Sequence, residues 1–453
     1  MNIYGKNILL NTGWVEDKTL VIDDGTIVDI VDGKLPNAEA LNIIIPGMIN
    51  CHSHAFQRAF AGFSEQGSEG QDSFWTWRKV MYQFLAKLTD KDAEIIATQL
   101  YIEMLKMGYT RVAEFHYLHH NQQGNKYQSL ATMARSIFCA AKNTGIGLTM
   151  LPVLYQYSGF SQQQPNDGQK RFINDVSQFN ALVSECFDIS KGIENTNVGI
   201  APHSLRAVDK ASLHYAVKHV RSLASDAPIH IHIAEQQKEV ADCIAHYNKR
   251  PVQWLFDNID VDQHWCLIHA THIDEQERKL MVEKGVIAGI CPTTEANLGD
   301  GIFPTAEYVN EGGIFAIGSD SHISVNPVEE LRWLEYAQRL IRQQRALLAS
   351  TDVPSVGQYL WQKAAQGGAI STSSNTGELA IGKQADLLVL DDSQMRLFAK
   401  SRMHLLDSLV FASQKPSIEH VMVNGTWVIR DGQHPKQAQA EQQFAQLLDT
   451  VTA

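Results

Sequence analysis

The sequence predicts an α/β protein: a (β/α)8, TIM-like barrel carrying a small discontinuous β-sandwich built from both chain ends. Three observations predict it. Short apolar runs alternate with helical patterns eight times through the middle of the chain. Strand-like texture with tight turns occurs at both ends, yet neither end alone has enough apolar surface for a stable core. Histidines and acids sit just after the apolar runs, where a barrel of parallel strands gathers its site.

Residues 1–42 read as the N-terminal part of the sandwich. TLVI and TIVDIV flank Asp24-Gly25, a strong hairpin-turn signal, and Asp32-Gly33 ends the second run. Residues 43–375 read as the barrel, with strands expected at 43–50, 110–116, 147–154, 197–202, 228–234, 264–270, 285–290 and 314–319. Between them, 90–107 and 208–224 have helical spacing, the first behind a Thr cap. The Gln-rich 162–169 segment reads as a surface loop. Residues 376–453 read as the other part of the sandwich plus a tail, with strands at 385–390 and 420–429 and Asn424-Gly425 as the turn.

Composition bounds the function classes. Of 453 residues, 44% are hydrophobic and 19% charged, as in ordinary globular enzymes. A net charge of −12 argues against nucleic acid or a membrane surface as partner. It also means that an anionic substrate would need arginines concentrated locally. The six cysteines are scattered and contain no Cys-x-x-Cys pair. The opening MNIYGKNILLNTGW has too short an apolar run for a signal peptide, and no stretch approaches the roughly 20 apolar residues of a membrane helix. These features predict a reduced, cytoplasmic compartment.

The chemistry lies in five stretches: Cys51-His52-Ser53-His54, Pro202-His203-Ser204, His232-Ile233-Ala234-Glu235, Ile268-His269-Ala270 and Ser319-Asp320-Ser321. Imidazole and carboxylate suit a divalent metal such as Zn²⁺, and an incomplete protein shell leaves room for a reactive water. His52 and His54 are two apart, so an extended chain projects both to one side. His230 shares a face with His232 but sits about 6–7 Å deeper in the barrel. His232 is therefore the expected ligand and His230 a buried, hydrogen-bonded residue. Asp320 can bind the metal and accept a proton from water; taken alone, it could equally be a helix N-cap. Glu235 follows His232 by three residues, beside the metal without ligating it, as proton shuttling requires. His269 ends another strand and could orient the water. His203 faces the cavity from the fourth strand, toward substrate.

The ordered set resembles the deaminase branch of the amidohydrolase superfamily over essentially the whole chain. The resemblance implies one Zn²⁺ per chain on His52, His54, His232 and Asp320, with Glu235 and His269 catalytic. Binuclear relatives use a bridging Lys after the fourth strand; here that place reads Gly199-Ile200-Ala201-Pro202-His203-Ser204, without Lys. More narrowly, His52-Ser53-His54-Ala55-Phe56-Gln57-Arg58, Phe74-Trp75-Thr76-Trp77-Arg78 and Ala113-Glu114-Phe115-His116-Tyr117 resemble the formimidoylglutamate deiminase family. That resemblance implies substrate roles for Gln57, Arg78, Tyr117, His203 and Arg206, and a homodimer.

The implied substrate is a small dianionic amino-acid derivative with a cationic formimidoyl group. Arg78 and Arg206 could each clamp a carboxylate by two parallel hydrogen bonds, while Tyr117 and Gln57 fix orientation. Without the resemblance, Arg206 reads as a rim salt bridge and Arg78 as a solvated helix face. Trp75 and Trp77 fit a lid or simple packing equally well. His119 and His120 read as loop residues rather than a second metal cluster. Two rival functions share the fold. A guanine-type purine or pyrimidine deaminase would prefer flat, amide-lined loops to two arginines. A catalytically dead scaffold would have lost ligands, whereas all six metal and acid–base residues are present.

Overall fold

The computed structural model describes residues 1–63, 65, 74–398, 401–413 and 417–452, without the side chains of 74–76, 79, 80, 396–398 and 452. In chain order its strands are β1 (Asn2–Leu10), β2 (Gly13–Asp23), β3 (Thr26–Asp32), β4 (Glu39–Pro46), β5 (Met48–Ser53), β6 (Tyr109–His116), β7 (Gly147–Leu154) and β8 (Thr196–Val198). They continue with β9 (Ala201–Pro202), β10 (Ile229–Ile233), β11 (Trp265–His269), β12 (Ile287–Ile290), β13 (Ile314–Ile317), β14 (Leu387–Leu390), β15 (Ile418–Val423) and β16 (Thr426–Ile429).

Both ends of the chain share one seven-stranded sheet, in the order β16-β15-β14-β4-β1-β2-β3. The expected turns build it. Asp24 and Gly25 both have positive φ (44° and 73°), as do Asn424 and Gly425 (46° and 72°), the backbone a two-residue hairpin with the right twist demands. The two hairpin tips are joined through Ala385, whose N–H donates to Gly25 O (2.7 Å) and whose C=O accepts from Gly425 N–H (3.1 Å). A single hydrogen-bonded sheet is coarser than the expected sandwich.

The middle of the chain supplies parallel strands in two arcs, β5-β6-β7-β8 with β9 beside β7, and β10-β11-β12-β13. Isolated parallel bridges link them at Ser53↔Asp320, Ile200↔Ile229 and Ser204↔His232. Their residues are buried almost without exception, so the strands read as continuous apolar runs rather than alternating ones. The expected strand at 43–50 is in fact two: β4 stays in the end sheet through Pro46, and β5 starts the parallel sheet at Met48. Gly47 marks the break because a Cβ there would collide with the Thr110 side chain. The sheet of the chain ends therefore reaches past the expected boundary at 42. The expected strand at 197–202 is likewise split into β8 and β9.

The helix at Asp90–Met107 begins at Thr89, whose side chain accepts from Asp92 N–H while Asp92 accepts from Thr89 N–H. Gly108, at φ 99°, ends it. The second expected helix spans Lys210–Leu223 behind Asp209. Most of 162–169 is exposed loop, but Gln169 is fully buried and donates to the Tyr155 hydroxyl (2.7 Å). No helix among the described residues is long and apolar enough to cross a membrane.

Candidate metal and proton-transfer site

The C-terminal ends of the parallel strands converge. Asp320 N–H donates to His52 O (3.0 Å) and His54 N–H to Asp320 O (3.3 Å), so backbone pairing alone places the ends of β5 and β13 side by side. Ala234, His269, Ala270 and Asp320 all have left-handed backbones, with φ from 45° to 66°. Non-glycine residues pay strain there, and such strain gathers where a fold turns side chains into a site.

The metal-ligand atoms meet at this point. His52, His54 and His232 form one group with ligand atoms within 4.8 Å of one another, and His52, His269 and Asp320 form another. His54 Nδ1 lies 2.9 Å from Phe115 O, and His232 Nδ1 lies 3.1 Å from His203 O. A carbonyl only accepts, so each Nδ1 carries the proton and each Nε2 turns a lone pair inward. His52 Nε2 lies 3.0 Å from His232 Nε2. Two such nitrogens repel unless a proton or a cation lies between them. Asp320 Oδ1 adds an anionic oxygen 3.4 Å from His52 Nε2 and 3.3 Å from His54 Nε2. Three imidazoles and one carboxylate fit a divalent ion of the zinc type. His52 differs from its partners in having a buried Nδ1 without a hydrogen-bond partner among the described residues.

Electrostatics separates the roles. Burial pushes His52 down to about 3 and lowers His54 and His232 as well. Burial opposes charge on Asp320, yet His52, His269 and His54 hold its carboxyl below the ordinary range. Burial raises Glu235, with His269 pulling the other way. His269 runs opposite to the other imidazoles. Burial disfavours its charge, but Glu235, Glu295 and Asp320 together push it up to about 10. Its Nε2 lies 3.9 Å from Glu235 Oε1 and 3.7 Å from Asp320 Oδ2. The N-cap alternative for Asp320 fails: the next helix starts at Pro327, capped by Asn326.

A cavity of about 520 Å³ opens onto these groups, and every expected site residue except His52 lines it. His52 is fully buried among the other ligand groups. Gln57 Nε2 donates to the Tyr117 hydroxyl (2.9 Å), and Gln57 Oε1 is buried without a partner among the described residues. His203 is held well below its usual range by burial and by the nearby Arg206, His54 and Arg78. Arg78 sits over the Tyr82 ring at 5.7 Å. Arg206 is buried, and Tyr155, Glu239 and Glu235 favour its charge against that burial. Arg206 is buried rather than a rim residue, whereas Arg78 is half-buried on the wall of the same cavity. Trp77 lines the cavity and packs on Phe60 (5.6 Å between rings), whereas the Trp75 side chain lies outside the described residues.

Several residues of the site were not expected. Tyr82, Tyr155, Phe172, Met81 and Leu298 complete the cavity wall. Glu114, a lone acid in the apolar run of β6, accepts from Ser53 Oγ (2.6 Å) and Ala55 N–H (2.7 Å), pinning the turn that carries His54. Its solitary position in a buried strand was a usable signal. Glu295 faces His269 Nδ1 at 3.2 Å, and no spacing rule pointed to it.

His119, His120 and His230 behave as packing groups. His119 and His120 lie in a loop, but they are buried and bond to Val153 O (2.9 Å) and Ile173 O (2.8 Å). His230 Nε2 bonds to Ser371 O (2.7 Å). Metal analysis of His232→Ala should therefore find the ion lost, whereas His230→Ala should keep about one divalent ion per chain and lose mainly stability. The reverse pattern would mean that the deeper histidine is the ligand.

Comparison with known proteins places the chain. Residues 43–428 match the model of the Amidohydrolase family. A formimidoylglutamate deiminase of Pseudomonas aeruginosa is 46% identical over 451 residues, covering 98% of each chain. A crystal structure of an amidohydrolase from Brucella melitensis superposes with a TM-score of 0.94 at 43% identity, covering 100% of both chains. An adenosine deaminase from Xanthomonas campestris with bound zinc has a TM-score of 0.81, over 100% of this chain and 98% of its own. At 21% identity it shares the fold alone.

Proposed function

The chain belongs to the amidohydrolase family, and we propose that within it the chain hydrolyses N-formimidoyl-L-glutamate to N-formyl-L-glutamate and ammonia, a step of histidine degradation. It is a hydrolase acting on the C–N bond of a linear amidine. One observation carries the substrate: Arg78 and Arg206 line the same 520 Å³ cavity as Glu235, His269 and Asp320. Two fixed guanidinium groups suit two carboxylates.

His52, His54, His232 and Asp320 would hold one Zn²⁺ per chain, and an ion there would supply Lewis-acid activation of water near neutral pH. Asp320 takes a proton from the attacking water. His269, ion-paired on both ring nitrogens, orients that water and offsets negative charge as the formimidoyl carbon becomes tetrahedral. Glu235, on the cavity wall beside His269, delivers a proton to the nitrogen that leaves as ammonia. The C=O then forms as the C–N bond breaks, the hydroxyl proton passing to Glu235, and the proton taken up by Asp320 leaves with the ammonia as ammonium. Arg78 and Arg206 each clamp a carboxylate, while Gln57, Tyr117 and His203 fix the amidine.

The same reading extends to architecture and setting. The two parallel arcs, from Met48 onward, form a (β/α)8 barrel, a reading supported by the bridges that link them. Residues 1–46 and 376–453 make a sandwich by curling their common sheet. A shared core of Ile3, Leu20, Ile27, Leu387 and Met422 supports this, since it joins strands distant in sheet order. The enzyme is a cytoplasmic homodimer without nucleic-acid or membrane partners. An ammonia-release assay decides the substrate: formimidoylglutamate should be consumed far faster than guanine, cytosine or adenosine. Preference for guanine would leave only the deaminase chemistry standing.

A further inference from the structure

We infer that Glu295 is a positioning residue for the reaction, fixing the ring orientation and proton placement of His269; the inference rests on the deiminase reading above. Glu295 comes from the short helix Pro292–Leu298 that follows β12, so it lies next to the end of β11 without being near His269 in sequence. It is 4% exposed. Its Oε1 accepts from His269 Nδ1 (3.2 Å) and from Cys291 N–H (2.9 Å). The carboxylate is thus held from two directions and cannot swing away.

The consequence falls on the far side of the ring. With Nδ1–H committed to Glu295, Nε2 is aimed between Glu235 Oε1 (3.9 Å) and Asp320 Oδ2 (3.7 Å), the two groups that move protons. His269 needs such a restraint because its own backbone is left-handed (φ 66°) and so is that of Ala270 (φ 48°). Strained strand ends persist only where neighbours over-determine them. Leu298 of the same helix lines the cavity, so one element sets both the wall and the orientation of His269.

The test compares Glu295→Ala and Glu295→Gln in the metal-loaded enzyme. The Gln amide has one oxygen, and Cys291 N–H draws that oxygen to the Oε1 position, where it still accepts from His269 Nδ1–H. Glu295→Ala should lose about 10–100-fold in kcat, the range typical for an orienting partner of a site histidine, with KM and metal content nearly unchanged. Glu295→Gln should recover most of that loss. The ¹⁵N resonances of His269, assigned by their absence from His269→Asn, supply a second readout. They should show a hydrogen-bonded Nδ1–H in the parent and in Glu295→Gln, and loss of that hydrogen bond in Glu295→Ala. Unchanged kcat or an unchanged Nδ1 signal in Glu295→Ala overturns the role. So does a folded Glu295→Gln no better than Glu295→Ala. If the parent does not turn over formimidoylglutamate, the substrate reading fails, while the ¹⁵N comparison still decides the role of Glu295.

Discussion

Glu235→Gln is expected to keep its metal and its fold and to lose about 10²–10⁴-fold in kcat, the usual contribution of general acid–base catalysis. The substitution preserves size and a hydrogen-bonding group but cannot carry a proton to the departing nitrogen. Its surroundings make the change clean. Glu235 N–H donates to Glu239 Oε2 (3.2 Å), a backbone contact that the Gln side chain leaves alone. The nearest imidazole contact of the carboxylate is His269 Nε2 at 3.9 Å, long enough that an amide fits without moving the ring. The loss should fall on kcat with little change in KM, because proton delivery is made only in the transition state. Near-normal turnover with metal in place would remove Glu235 from the reaction.

Arg206→Met and Arg78→Met are expected to cripple turnover of formimidoylglutamate while leaving the metal bound. A buried carboxylate deprived of its charge-assisted partner costs about 2–5 kcal/mol, or roughly 30-fold to several thousand-fold in kcat/KM. The Arg206 effect should be at the larger end, since that guanidinium is 9% exposed and its charge is supported from within the protein. Formimidoyl-aspartate keeps both charges and should still bind, though with its reacting carbon displaced. A diester should bind poorly. Kinetics across substrate concentrations read both variants, and parent-like values in both would refute the dianionic substrate.

Much of this site was legible along the chain because strand geometry is periodic. His52 and His54 could be paired because alternate residues on a strand share a face, and His232 could be preferred to His230 because one lies nearer the strand end. In the structure His232 Nε2 meets His52 Nε2 at 3.0 Å, while His230 is tied to Ser371 O. Turn chemistry was equally local: Asp24-Gly25 and Asn424-Gly425 have the positive φ angles that their residue types invite. Gln169 was not legible. Its Gln-rich segment reads as solvent-facing, but its side chain is buried to hold Tyr155 in the cavity wall.

The donor types, their order at successive strand ends and the turns that close the end hairpins can be read along the chain, since each depends on residues a few positions apart. Three relations needed the folded chain: the passage at Gly47 from the end sheet to the parallel sheet, the one cavity shared by Arg78 and Arg206, and Glu295 behind His269. Those relations join residues brought together by sheet order and helix placement. No local period encodes such a distance, so packing alone sets it.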